Sequence, residues 1–242
     1  MNAIEAKGLT KRFGHKTAVD HMNLTVGQGE LFALLGVNGA GKTTAIRMLS
    51  CLSAPTEGEA FISGCSCRTE PAQVKKRIGI SPQDTAVAEN LTVFENLYFM
   101  AQVYGFEKKQ VLAKAEEMIA LFRMQDVKDA RAKTLSGGWK RKLSIAMALI
   151  SGPEVLFLDE PTLGLDVLAR RELWRAIAAL KGNITILLTT HYMEEAEHLA
   201  DRIAVMMEGK IAACGTLQEL ESLTGKQGLE AAFVEIAERG MV

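Results

Sequence analysis

An α/β fold with an inserted helical segment is predicted by three observations. Continuous apolar runs of strand length recur at residues 31–35, 155–158 and 184–188. Each is followed by a turn and then by apolar residues at helical spacing. Between the first two, residues 85–152 carry helical spacing with no strand-like run. A strand apolar at every position suits the centre of a parallel sheet covered on both faces. Strand, turn and helix in repeated succession are the pattern of a doubly wound sheet.

Taken in order, Met22, Leu24 and Val26 alternate with polar neighbours, as in a half-buried antiparallel strand near the start. The run 31–35 is the first buried strand, and a helix follows from Lys42. Helical spacing at 93–104 and 111–122 is joined by a third helix over 136–150, entered through Gly137-Gly138. Gly152-Pro153 marks the return to strands, and the runs 203–207 and 210–214 flank Glu208-Gly209 as a hairpin would. Residues 216–242 are helical with a break at Gly225 to Gly228. The expected organisation is a single domain over 1–242: an α/β core from 1–84 and 153–215, a helical subdomain at 85–152, and a tail at 216–242.

Composition narrows the classes of function. The chain has 242 residues, 48% hydrophobic and 24% charged, enough for a large core without a disulfide or metal staple. Twenty-eight basic residues against 29 acidic ones leave a net charge of −1, so no overall field recruits nucleic acid, and none is expected as a partner. No apolar run approaches the roughly 20 residues of a membrane span. The first residues have neither a basic nor an apolar leader region, so the chain itself reads as cytosolic. Cys51, Cys65, Cys67 and Cys214 have no zinc-like or thioredoxin-like spacing and read as structural thiols of a reducing compartment.

The chemistry is concentrated at strand ends. Gly36-Val37-Asn38-Gly39-Ala40-Gly41-Lys42-Thr43 fits Gly-x4-Gly-Lys-Ser/Thr, placed after a strand and before a helix. Such glycines let successive backbone N–H groups turn inward around phosphate oxygens, and the helix N-terminus adds positive potential. Lys42 would reach the β- and γ-phosphates, and the Thr43 hydroxyl would ligate Mg²⁺. Asp159-Glu160 ends the second buried run, where open α/β sheets bind ligands. Asp159 is placed to organise Mg²⁺ and Glu160 to deprotonate an attacking water. Adjacent strand residues point to opposite faces, so both can serve one site only if the strand stops there. His191 ends the third buried run and could hydrogen-bond a γ-phosphate or that water. Leu135-Ser136-Gly137-Gly138 forms a second anion-binding helix start. The cations Lys140, Arg141 and Lys142 that follow oppose the helix dipole, a conflict an arriving phosphate would relieve.

This set resembles the ATP-binding cassette (ABC) ATPases, over about residues 3–215. Leu135 to Gly138 is similar to that family's signature, Leu163-Gly164-Leu165-Asp166 to its D-loop, Gln83 in Ser81-Pro82-Gln83 to its Q-loop, and His191 to its switch histidine. The spacing agrees, with 94 residues from Lys42 to Ser136, 23 from Ser136 to Asp159 and 31 from Glu160 to His191. The resemblance implies ATP and Mg²⁺ as cofactors, with Glu160, His191, Gln83 and Lys42 in catalysis. ATP contacts are implied for Phe13, stacking on adenine, and for Val19, Gly36, Asn38, Gly39, Ala40, Gly41, Lys42, Thr43 and Thr44. Thr43, Gln83 and Asp159 would hold the metal. Leu135, Ser136, Gly137, Gly138, Trp139 and Asp166 would act across a head-to-tail homodimer. Trp139 and Leu163 depart from the pattern, standing where the family has glutamine and commonly serine.

The runs 191–197 and 229–235 resemble drug-exporter-like cassettes, which work on the cytoplasmic face of a membrane with a separately encoded permease. That permease is expected to dock near residues 83–104, where Val93, Phe94, Leu97, Tyr98 and Ala101 have i, i+3, i+4 spacing. Two alternatives remain open at this point: a soluble ABC ATPase of DNA or ribosome maintenance, and a nucleotide-dependent binding module with little hydrolysis. The coiled-coil insertions and doubled cassettes that mark the former are missing, and Glu160 and His191 oppose the latter.

Overall fold

In the computed structural model, which describes residues 1–240, two β-sheets lie under and beside nine α-helices. The chain opens with a long hairpin, β1 (Asn2–Phe13) and β2 (Lys16–Gly27), then enters β3 (Leu31–Leu35) and α1 (Lys42–Leu49). A second hairpin, β4 (Glu57–Ile62) and β5 (Cys65–Ser66), is followed by α2 (Pro71–Arg77) and β6 (Ile78–Ser81). Three helices come next: α3 (Val93–Val103), α4 (Lys108–Leu121) and α5 (Gly137–Leu149). The strands resume with β7 (Val155–Asp159), α6 (Val167–Ala178), β8 (Thr185–Thr190), α7 (Met193–Leu199), β9 (Arg202–Met207) and β10 (Lys210–Gly215). The chain closes on α8 (Leu217–Thr224) and α9 (Leu229–Gly240).

The larger sheet has the order β10-β9-β3-β8-β7-β6, parallel except for the edge strand β10. Its central strands separate two apolar cores. Leu31, Ala33, Leu35, Leu156, Leu158, Ile186 and Leu188 face the helices α3 to α6. Phe32, Leu34, Val155, Phe157 and Leu187 face α1 and the N-terminal strands. Both faces are dry, which is why these runs carry no polar alternation. Each fully buried Leu or Phe removes apolar area worth about 1.5–3 kcal/mol.

Expectation and structure part at three places. The antiparallel portion forms a sheet of its own, ordered β2-β1-β4-β5. Of its strands only the Met22 to Val26 segment was legible, because β1 is broken by irregularities between Ala6 and Leu9 and between Leu9 and Lys11 that scramble its alternation. The short strand β6 also escaped, since Gly79 interrupts its apolar character. The third difference concerns the docking stripe. Val93, Leu97 and Ala101 are completely buried against α4 and α5, because a three-helix layer needs that face for its own core. The exposed apolar residues lie around the helix instead, at Phe99, Val103 and Tyr104.

Local chemistry accounts for the helix ends. Thr92 and Glu95 form a reciprocal capping box at the start of α3, as do Thr216 and Glu219 at α8. Asp166 caps α6 by accepting from the N–H groups of Leu168 and Ala169, both at 2.9 Å.

Candidate functional site

Four parallel strands deliver their C-terminal ends to one place. The order β9-β3-β8-β7-β6 puts β3 where the chain reverses its direction of winding, and a crevice opens there. From β3 comes the loop 36–43, from β6 Gln83, from β7 Asp159 and Glu160, and from β8 His191. Asn38, Gly39, Ala40, Gly41, Lys42, Thr43, Thr44, Gln83, Glu160 and His191 line a cavity of about 400 Å³, together with Lys16, Ala18 and Leu163.

The loop is shaped by close approach. At Gly41 φ is +108°, and an added Cβ would come within 2.3 Å of the Ala18 carbonyl oxygen, so only glycine fits at the start of α1. Lys42 is buried, donating to the carbonyls of Gly36 at 2.8 Å and Val37 at 3.2 Å. Its Nζ also lies 3.2 Å from Glu160 Oε1.

Glu160 answers the geometric question posed by two consecutive carboxylates. The strand stops at Asp159, and Glu160 adopts the left-handed region with φ at +49°. For a non-glycine residue this costs about 1–3 kcal/mol and persists only where neighbours enforce it. Here the Glu160 N–H donates to the Thr189 carbonyl and hydroxyl, each at 3.1 Å. The turn brings Glu160 Oε2 to 2.6 Å from His191 Nδ1. Beside it, Asp159 Oδ1 accepts from Thr43 Oγ at 3.1 Å and from Thr189 Oγ at 2.6 Å.

Thr43 and Asp159 therefore present hard oxygen donors side by side at the phosphate loop, the donor chemistry Mg²⁺ takes. Among the described residues no three His, Cys, Asp or Glu side chains gather as a metal cage. Mg²⁺ needs none, since phosphate oxygens and waters complete its shell.

Several expected residues lie elsewhere. Val19 is fully buried in the core and does not line the cavity; alternation along β2 turns its neighbour Ala18 and also Lys16 toward it instead. Phe13 is exposed at the tip of the first hairpin, paired with Lys16 and with Lys11 Nζ 5.2 Å from its ring. Leu135, Ser136, Gly137, Gly138, Trp139 and Asp166 do not line this cavity, and the place expected for them is the site of a second copy. Ser136 caps α5, and the start of that helix packs so tightly on α6 that a Cβ at Gly138 would meet Ala169 Cβ at 3.1 Å.

The cations after Gly138 do not wait for a phosphate, contrary to expectation. Lys140 pairs with Glu89 at 3.0 Å and Lys142 with Glu172 at 2.9 Å, its Nζ also 4.3 Å from the Trp139 ring centroid. Arg141 turns inward and donates to the main chain. Their charges are met within the chain.

Two residues near the site were missed. Thr189 pairs in register with Asp159 across β7 and β8, and its hydroxyl was hidden in an apolar run. Glu195 is completely buried behind the site, accepting from Trp174 Nε1 at 3.1 Å, and burial pushes its carboxyl above the ordinary 4.5. In the sequence it is one more glutamate of a polar helix start; only a three-dimensional position distinguishes it.

Comparison with known proteins identifies the family. The sequence profile of the ABC transporter family matches residues 19–163, more than half of the chain. The chain is 43% identical to the daunorubicin/doxorubicin resistance ATP-binding protein of Streptomyces peucetius, over 94% of this chain and 69% of that one. It is 44% identical to the phospholipid-transporting ATPase ABCA3 of Homo sapiens over 88% of its own length, spanning only 13% of that larger protein. Among solved structures, the ATP-binding subunit of an ABC transporter superposes with a TM-score of 0.86 at 28% identity, over 97% of this chain and 99% of that one. A dimeric cassette in a post-hydrolysis state with ADP and phosphate shares the fold, with a TM-score of 0.79 at 24% identity over 88% and 98%. By sequence, fold and the company kept by Lys42, Asp159, Glu160 and His191, the chain belongs to the ABC transporter family, as one of its ATP-hydrolysing cassettes.

Proposed function

We propose that this chain powers export across a membrane through a separate permease, as one half of a head-to-tail pair that ATP closes and hydrolysis releases. The observation that carries this reading is the convergence of Lys42, Glu160 and His191 on one cavity, with Asp159 joined to the cavity-lining Thr43. In it, the backbone of 36–43 and Lys42 would hold the phosphates, and Thr43, Gln83 and Asp159 would hold Mg²⁺, which would supply charge neutralisation. Glu160 takes the proton of the attacking water, and His191 holds Glu160 in place. Phe13, exposed on the hairpin tip and paired with the cavity-lining Lys16, would stack on the adenine. Ser136 and Gly138 of a second copy, flanked by Leu135, Gly137, Trp139 and Asp166, bring a second helix end to the γ-phosphate, where its N–H groups and positive potential meet developing charge. The dimeric cassette of like fold supports such a pairing.

Export is supported by the relative that confers daunorubicin/doxorubicin resistance, and transport by the phospholipid-transporting ATPase. The permease would hold the chain to the cytoplasmic face; among the described residues no helix is long and apolar enough to cross a membrane. Its docking place is the apolar groove of about 550 Å³ between β6 and α3, where Leu52, Ile80, Pro82, Met100, Val103 and Tyr104 meet. We take residues 1–242 as one ATPase unit, with 85–152 as the arm that carries Ser136.

The test is Glu160→Gln, which keeps size and hydrogen bonding but removes the base. Hydrolysis should fall roughly 10²–10⁴-fold, about 3–5 kcal/mol of barrier, while ATP binding survives. Size-exclusion chromatography with light scattering should then show an ATP-dependent dimer, which Ser136→Arg abolishes. A Glu160→Gln protein that hydrolyses at the parent rate, or stays monomeric in saturating ATP with and without the permease, defeats the mechanism.

A further inference from the structure

Arg141 is 4% exposed, yet its guanidinium is spent on main-chain carbonyls rather than on a carboxylate. One Nη donates to the Pro82 carbonyl at 2.6 Å and the other to the carbonyl of Gln83. Asp159, Asp84 and Glu195 favour its charge from a distance, yet none of them takes a direct hydrogen bond from the fork, and burying a guanidinium carries a desolvation cost. A planar fork, however, fixes two acceptors at once, which no point charge does.

The contact is one of three along the same face of α5. One turn on, Ser144 Oγ lies 2.9 Å from Ser81 Oγ in a buried pair. A turn further, α5 approaches β6 so closely that a Cβ at Gly79 would fall 2.2 Å from the Ala148 carbonyl oxygen. Positions 141, 144 and 148 thus run down residues 79 to 83 in order. The top of this seam is Gln83, which lines the chain's own nucleotide cavity. The N-terminus of the same helix is Ser136 to Gly138, only about 7 Å from Arg141 at 1.5 Å of rise per residue.

We propose that Arg141 is a positioning residue that makes the Gln83 loop and the Ser136–Gly138 helix start move as one piece, so that nucleotide at one site sets the helix end completing the other. The second half rests on the head-to-tail reading above; the first does not. Coupling between sites needs a physical link with differential contacts, and this fork supplies one.

The experiment compares the parent with Arg141→Met, of similar length and no donors, and Arg141→Lys, which keeps the charge and reaches one carbonyl at a time. Hydrogen exchange is followed at amides 136–142 with and without Mg–ATP, at concentrations where light scattering shows monomer. Nucleotide should slow exchange there at least about fivefold in the parent, by less in Arg141→Lys, and not at all in Arg141→Met, with ATP affinity by calorimetry within twofold throughout. The Hill coefficient for ATP in hydrolysis should fall toward 1 in Arg141→Met. An unchanged exchange response in Arg141→Met, or none in the parent monomer, overturns the clamp, and Arg141→Lys carries this comparison if Arg141→Met does not fold. A parent that never dimerises removes the head-to-tail reading and the cross-site half with it, while the monomer measurement still decides the clamp.

Discussion

Glu160 Oε2 and His191 Nδ1 lie 2.6 Å apart, joining the end of β7 to the end of β8 across the mouth of the site. The other oxygen of Glu160 lies 3.2 Å from Lys42. The carboxylate is thus held from both sides before any phosphate arrives. A γ-phosphate would compete for Lys42 and leave His191 as the group that keeps Glu160 aimed. His191→Ala removes a charge-assisted hydrogen bond worth about 1.5–3 kcal/mol. We expect kcat to fall roughly 10- to 100-fold with ATP affinity nearly unchanged. Steady-state kinetics beside titration calorimetry separates the two, and a loss confined to KM would count against this role for His191.

Thr189 predicts a metal phenotype. Its hydroxyl donates to Asp159 Oδ1 at 2.6 Å and accepts from the Glu160 N–H at 3.1 Å. Thr189→Val is close to isosteric and breaks both contacts, each worth about 1 kcal/mol. The Mg²⁺ concentration for half-maximal hydrolysis should rise about five- to tenfold, at saturating ATP. An unchanged Mg²⁺ dependence, in a variant that folds, would show that Asp159 is oriented without it.

Glu195 predicts how stability changes with pH. Burial raises its carboxyl above the unfolded 4.5, with Glu160 adding a smaller push in the same direction, while Thr190, Thr162 and Trp174 pull it back. Below pH 4.5 both states hold the proton. Between 4.5 and the raised native value only the folded chain holds it, so stability falls as pH rises through that window and levels off above it. Glu195→Gln carries no such titration. Urea midpoints at pH 4.5 and pH 8 should therefore drop further in the parent than in the variant, with the same m-value. Equal drops would mean that the buried carboxyl titrates as it does in water.

Docking predicts a pattern of crosslinks. Val103 and Tyr104 are exposed beside the groove between β6 and α3, whereas Val93 and Leu97 are buried. Single cysteines at 103 and 104, placed in a chain relieved of its own cysteines, should crosslink to the permease in detergent-solubilised membranes. Crosslinks confined to residues 200–242 would rule out the groove.

Much of the site was legible because its parts are local. A phosphate loop is eight consecutive residues whose glycines and lysine have one job, and a carboxylate pair or histidine after a dry strand marks a ligand-binding edge wherever that edge is. The strands β1 and β6 were less legible, because irregular pairing and a single glycine erase a period that needs several clean repeats.

By itself, then, the sequence determined the α/β class, the order of the buried strands 31–35, 155–158 and 184–188 around a helical insertion, and the identity of the groups at the end of each, all properties of spacing along one chain. Tertiary structure decided which of those groups meet. It turned Glu160 back beside Asp159 through a left-handed residue, gave Thr189 a partner thirty residues away, and withdrew Val19 into the core. It also neutralised Lys140 and Lys142 with Glu89 and Glu172, and spent the face of α3 that looked free on packing against α4 and α5. The physical reason is common to these cases. Burial and charge pairing depend on what arrives from distant parts of the chain, and a period or a motif carries no record of the neighbour it will find.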